Sequence, residues 1–230
     1  MNTTIIPAAA GQSANRLFFC LSFILALSFF LPLSALAETT VLMLGDSLTA
    51  GYGVEREQAF PALVEKHLKN QNIINVKVIN GGFSGSTTAS ALSRLRWYLR
   101  IKPDILVLAL GGNDGLRGLG VKEIEKNLAA TIELAKKQGM TVVLAGMQMP
   151  PNYGDIYTRQ FAMVYPTLSK RYQVALIPFL LEGVGGQVDL NIADGIHPNP
   201  EGHKIVAKTV LQHLMPILTD AQKGSVSKAQ

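Results

Sequence analysis

Cysteine is nearly missing: the 230 residues hold one, Cys20. That excludes an intramolecular disulfide, a disulfide-stapled small scaffold and any cage built on several thiolates. Charge is sparse as well, at 16% of residues. The 21 Lys and Arg are spread along the chain against 16 Asp and Glu, with no basic run long enough to track phosphates, so nucleic acid is not an expected partner. Internal repeats, low-complexity linkers and a second domain are also missing. What is present, 48% apolar residues with 21 Gly and 11 Pro, is the composition of one globular domain with a greasy excess.

The excess lies near the N-terminus. No charged residue occurs from Leu17 to Ala37, Arg16 stands immediately before, Pro32 breaks the run, and Ala35-Leu36-Ala37 is an A-x-A cleavage site. Residues 1–37 are therefore expected to be a signal peptide, with the protein secreted or periplasmic after cleavage near Ala37. The competing reading is an uncleaved anchor, since the run approaches the roughly 20 residues that span a bilayer. Cys20 would leave with the leader, and the large Phe19 before it argues against lipid attachment.

Beyond residue 38, short β-branched runs alternate with helix-period segments, the signature of βαβ units on a parallel sheet. The expected strands are Thr40–Leu44, Val76–Ile79, Ile105–Leu110, Thr141–Ala145 and Val174–Pro178, each nearly continuously apolar, as strands covered on both faces should be. Between them Phe60, Val64 and Leu68, then Leu92, Leu95 and Leu99, then Ile124, Leu128 and Ile132 recur at helical spacing. A further pattern from Tyr157 to Tyr172 contains Pro166, where a kink or break is expected. The last helix should open at Asn199-Pro200, the domain should span 38–218, and 219–230 should form a frayed polar tail.

Ligands of open parallel sheets bind beyond the carboxyl ends of the strands. Those ends read Gly45-Asp46-Ser47-Leu48, Asn80 to Gly85 and Gly111 to Gly115, and Asp194-Gly195-Ile196-His197 precedes the last helix. A serine hydroxyl attacks only if a base takes its proton, a third group orients the base, and donors meet the oxyanion. Ser47, His197 and Asp194 can fill the first three roles. The N–H groups of Ser47 and Gly85 and the Asn113 amide can fill the fourth. The plainer alternatives are an N-cap for Ser47, turn residues for Gly81, Gly82 and Gly85, and a loop cap for Asn113. Asp194, His197, Glu201 and His203 could instead hold zinc.

Together these four segments resemble the blocks of the SGNH hydrolases, also called the GDSL esterase/lipase family. Ser47, Gly85, Asn113 and His197 fall on the residues that supply its letters, and Asp194 on the acid of its D-x-x-H block. Gly111 to Leu119 and Met149 to Tyr153 resemble the bacterial secreted acyl thioesterase, lysophospholipase and arylesterase subgroup. The resemblance implies an α/β fold, a three-layer α/β/α, flavodoxin-like sandwich with a five-stranded parallel sheet. Two departures stand out: Gly81 where alanine is common, and a glycine-rich stretch, Glu182 to Gly186, beside the expected acyl groove.

The expected activity is that of a cofactor-independent, metal-independent serine esterase forming an acyl-Ser47 intermediate on lipid-derived or aryl esters, or thioesters. Its partners would be small acyl substrates, with membrane lipids as one source and no obligate protein partner. Ser47, Gly85 and Asn113 would form the oxyanion hole, and Leu116, Met149 and Tyr153 the substrate groove, with glycines around Leu116 that would let its loop move. The competing functions are a deacetylase of cell-wall polysaccharide using the same parts, and a noncatalytic ligand-binding protein.

Overall fold

The computed structural model describes Met1 and residues 38–227, so the expected leader, Met1 apart, lies outside the described residues. Five parallel strands form one sheet in the order β2-β1-β3-β4-β5: β1 Thr39–Gly45, β2 Val76–Gly82, β3 Ile105–Ala109, β4 Thr141–Ala145 and β5 Ala175–Ile177. The three-layer α/β class is the one expected. Val41 to Leu44, Ile105 to Leu110 and Val142 to Ala145 are all buried, because helices cover both faces.

The helices are α1 Ser47–Ala50, α2 Phe60–Asn70, α3 Ala91–Tyr98, α4 Gly112–Leu116, α5 Val121–Lys137, α6 Asp155–Tyr172 and α7 Pro200–Ser227. α2 packs on α7, and α3 and α6 each pack on α5. Their apolar stripes point inward: Phe60, Val64 and Leu68 of α2, and Ile124, Leu128 and Ile132 of α5, are each no more than 1% exposed. Asn199 caps α7, its Oδ1 accepting the N–H groups of Glu201 and Gly202, both at 3.0 Å.

Three expectations need correction. Pro166 does not break α6, which continues to Tyr172. Phe161, Val164, Tyr165 and Leu168 are buried on both sides of it, and packing outweighs one lost backbone bond. The segment expected as a frayed tail continues α7 through Ser227. Asn113 and its successors form the short helix α4, where a mobile loop was expected. Buried Asp114 pins it by accepting the Thr88 hydroxyl at 2.6 Å and the Thr88 N–H at 2.9 Å.

Register positions the site. Gly45, the last residue of β1, pairs with Gly82 of β2 and Ala109 of β3, so all three strands end level. The chain order reverses between β1 and β3, which makes that edge the crevice of the sheet.

Candidate active site

Ser47 opens α1 at the end of β1, and Asp46 caps that helix, Oδ1 accepting the Leu48 N–H at 3.1 Å. His197 and Asp194 come from a loop fastened at its base. Ile192 N–H donates to the His197 carbonyl at 2.8 Å and Asn199 N–H to the Leu190 carbonyl at 2.9 Å. The loop carries the imidazole to Ser47, with Nε2 2.8 Å from Oγ and Nδ1 2.6 Å from Asp194 Oδ2. With Nδ1–H donating to the carboxylate, the Nε2 lone pair is left facing the hydroxyl.

Burial opposes ionisation of Asp194, but the N–H of Ile196 and the side chain and N–H of His197 outweigh it and hold its pKa below the usual carboxylate value. A carboxylate so held is charged when the imidazole needs orienting.

Gly85 adopts a φ of +78°, a left-handed conformation that glycine takes without strain. Asn113 Nδ2 donates to the Ser86 carbonyl at 3.0 Å and to Asp46 Oδ2 at 3.4 Å. The second contact is at the long end of the hydrogen-bond range. Gly81 and Gly82, read from sequence as turn residues, instead close β2.

A groove of about 540 Å³ runs from this cluster. Leu116, Met147, Met149, Phe179 and Leu181 line it together with Gly185 and Gly186 of the glycine-rich stretch. Tyr153, expected in the groove, does not line it. Its hydroxyl donates to the Leu116 carbonyl at 3.1 Å, so it braces a residue of the wall. The zinc alternative fails on geometry: His203 is buried with Nδ1 accepting the Phe60 N–H at 3.2 Å, and Glu201 pairs with Lys204. Among the described residues no cluster of three metal-ligating groups forms.

Three residues of the site were given no role from sequence. Buried Asp46 has its carboxyl pushed up to about 6, chiefly by burial, with the Leu48 N–H and His197 pulling it down and Asp114 pushing it up. Arg94 donates from Nη1 to the Gly45 carbonyl at 2.9 Å and to Ser86 Oγ at 3.0 Å, and from Nη2 to the Gly81 carbonyl. It thereby ties the ends of β1 and β2 to the loop carrying Gly85. Tyr52 lies against His197. Position was the one signal for Asp46 and Tyr52, which follow the glycine at the end of β1, while Arg94 lies within α3 and carried none.

A Ser-His-Asp arrangement at the switch point of a doubly wound sheet, with Gly85 and Asn113 lining the same groove, defines a serine hydrolase of the three-layer α/β class. Residues 43–205 match the model of the GDSL-like lipase/acylhydrolase family. The chain belongs to this family and hydrolyses ester bonds.

It is 40% identical over 183 residues to the esterase TesA of Pseudomonas aeruginosa, covering 79% of this chain and 90% of that one. The arylesterase of Vibrio mimicus is 41% identical over 192 residues, covering 83% and 96%. The thioesterase 1/protease 1/lysophospholipase L1 of Escherichia coli K12 is 34% identical over 189 residues, covering 82% and 89%. A crystal structure of TesA superposes with a TM-score of 0.75 at 40% identity, covering 77% of this chain and 99% of that one.

Proposed function

We propose that the protein is an exported serine esterase that transfers an acyl group from lipid-derived or aryl esters, or from thioesters, first to Ser47 and then to water. The observation that carries this reading is the continuous path Asp194–His197–Ser47, with bonds of 2.6 and 2.8 Å. In acylation, Nε2 takes the Ser47 proton as Oγ bonds to the carbonyl carbon. The carbonyl electrons move onto oxygen, which the N–H groups of Ser47 and Gly85 and the Asn113 amide receive. As the tetrahedral species collapses, the ester C–O or thioester C–S bond breaks and the leaving group takes the proton from His197. Water repeats the sequence on the acyl-enzyme, giving up one proton to His197, and Ser47 regains it as the acid departs.

The groove supports an acyl chain as the recognised part. Its apolar walls extend well past the space an acetyl group fills, which weighs against the deacetylase reading. Export rests on the charge-free run up to Ala37 and its A-x-A site. No helix among the described residues is long and apolar enough to cross a membrane.

Purified protein lacking residues 1–37 tests the reading. An organophosphonate should add one equivalent to Ser47 by mass spectrometry, and a panel of acyl lengths should show faster turnover of long esters than of acetyl esters. Labelling elsewhere, or a preference for acetyl groups, would reject it.

A further inference from the structure

Tyr52 is 53% exposed, yet its ring centroid lies 4.7 Å from that of the His197 imidazole at an interplanar angle of 47°. Its placement is built in. The Tyr52 N–H donates to the Ser47 carbonyl at 3.0 Å, and the tyrosine stands between Gly51 and Gly53, whose φ values are +81° and +84°. A Cβ on Gly53 would come within 2.6 Å of Ile192 Cδ1, and Ile192 is the residue whose N–H closes the loop carrying His197. The turn after α1 is therefore seated on the histidine loop, with the tyrosine ring against the imidazole.

An aromatic face is electron-rich and attracts a cation within about 6 Å of its centroid. In the proposed cycle His197 becomes a cation on taking the Ser47 proton and loses that charge on giving it up. We propose that Tyr52 is a positioning residue for His197, holding the imidazole in line and favouring its charged form through the ring face. This rests on the assignment of His197 as the base. The other titratable groups acting on His197 are Asp194, in contact, and Asp46 and His203 at longer range. All three stay in place when Tyr52 alone is changed.

The experiment compares Tyr52→Leu and Tyr52→Phe with the parent, on an acetyl ester too short to reach the groove walls. Both replacements keep an apolar cover, and only Phe keeps the ring. Tyr52→Leu should lower kcat by roughly threefold and move the acid limb of kcat/KM to lower pH by about half a unit, since the charged imidazole loses its aromatic neighbour. Tyr52→Phe should keep the parent's acid limb. If Tyr52→Leu raises KM and leaves the limb in place, Tyr52, which also lines the groove, acts on the substrate alone and the proposal fails. If both variants move the limb equally, the hydroxyl is responsible and the proposal also fails. His197→Asn, assayed alongside, separates these outcomes from failure of the base assignment, because retained activity there would remove His197 itself.

Discussion

Asp46 and Asn113, 67 positions apart, meet at 3.4 Å between a carboxylate oxygen and a side-chain amide in the groove that Ser47 also lines. Burial holds the Asp46 carboxyl at about 6, so at neutral pH the folded chain keeps a charge that the interior disfavours. A carboxyl whose folded pKa is raised contributes stability that is full below its unfolded value, near 3.8, and is lost as pH rises through about 6.

Asp46→Asn should therefore stabilise the protein above pH 6, by on the order of a few kcal/mol, while its amide oxygen still caps α1. Activity should fall, because Asn113 then faces another amide. Denaturant midpoints at pH 8 and pH 4, with kcat at pH 8, check this. A variant no more stable at pH 8 would contradict it.

His203 acts in the opposite direction. It is 1% exposed, and burial lowers its pKa to about 4, with His197 adding to the effect. Its contribution is present above the unfolded value near 6.5 and is lost as pH falls towards 4, where the unfolded chain binds a proton the folded one resists. Between about pH 4 and 6 this loss is offset by the gain at Asp46. The stability of Asp46→Asn should thus drop more steeply on acidification than that of the parent, measured by thermal midpoints in half-unit pH steps.

Ser47→Ala should lower kcat/KM on the order of 10⁴-fold or more and leave the thermal midpoint within a degree or two, roughly the effect of removing a hydroxyl from a partly open site. Parallel assays and melting curves check both halves.

Asn113→Ala should lower kcat by on the order of 10²- to 10³-fold, the usual cost of one oxyanion donor. KM should change little, because the interaction is made in the transition state. A fall confined to KM would place Asn113 in substrate binding.

Leu116→Ala and Met149→Ala remove apolar wall from the groove. Each lost methylene contact is worth about 0.8 kcal/mol, or roughly fourfold in kcat/KM. Long acyl esters should lose that much per contact, and acetyl esters with the same leaving group should lose little. Tyr153→Phe should show the same selectivity more weakly, since it frees the Leu116 carbonyl without removing wall. Equal losses on both substrates would signal general damage.

Much was legible in the chain because it was encoded locally. The continuous β-branched runs suited buried strands, and the apolar spacing in Phe60–Leu68 and Ile124–Ile132 suited helices with one buried face. The placement of Ser47, Gly85, Asn113 and Asp194-x-x-His197 after strands or before a helix marked the site, because parallel strands end on one edge. Local patterns also misled. Pro166 reads as a breaker until the burial around it is known, and the glycines beside Leu116 read as mobility until Asp114 is seen to anchor α4.

What the sequence determined by itself was the alternation of elements, the order of the site segments and the types of group available. Tertiary structure decided which of those groups meet and in what surroundings. His203 lies six residues from His197, yet its Nδ1 accepts the N–H of Phe60, 143 positions away. Tyr153 has the position of a groove residue and turns its hydroxyl to a backbone carbonyl. Asp46 and Asp194 are the same residue type, and burial raises the first while backbone and histidine bonds lower the second. Burial and hydrogen-bond partners depend on segments far apart in the chain, so these properties arise only when the sheet brings its strand ends together.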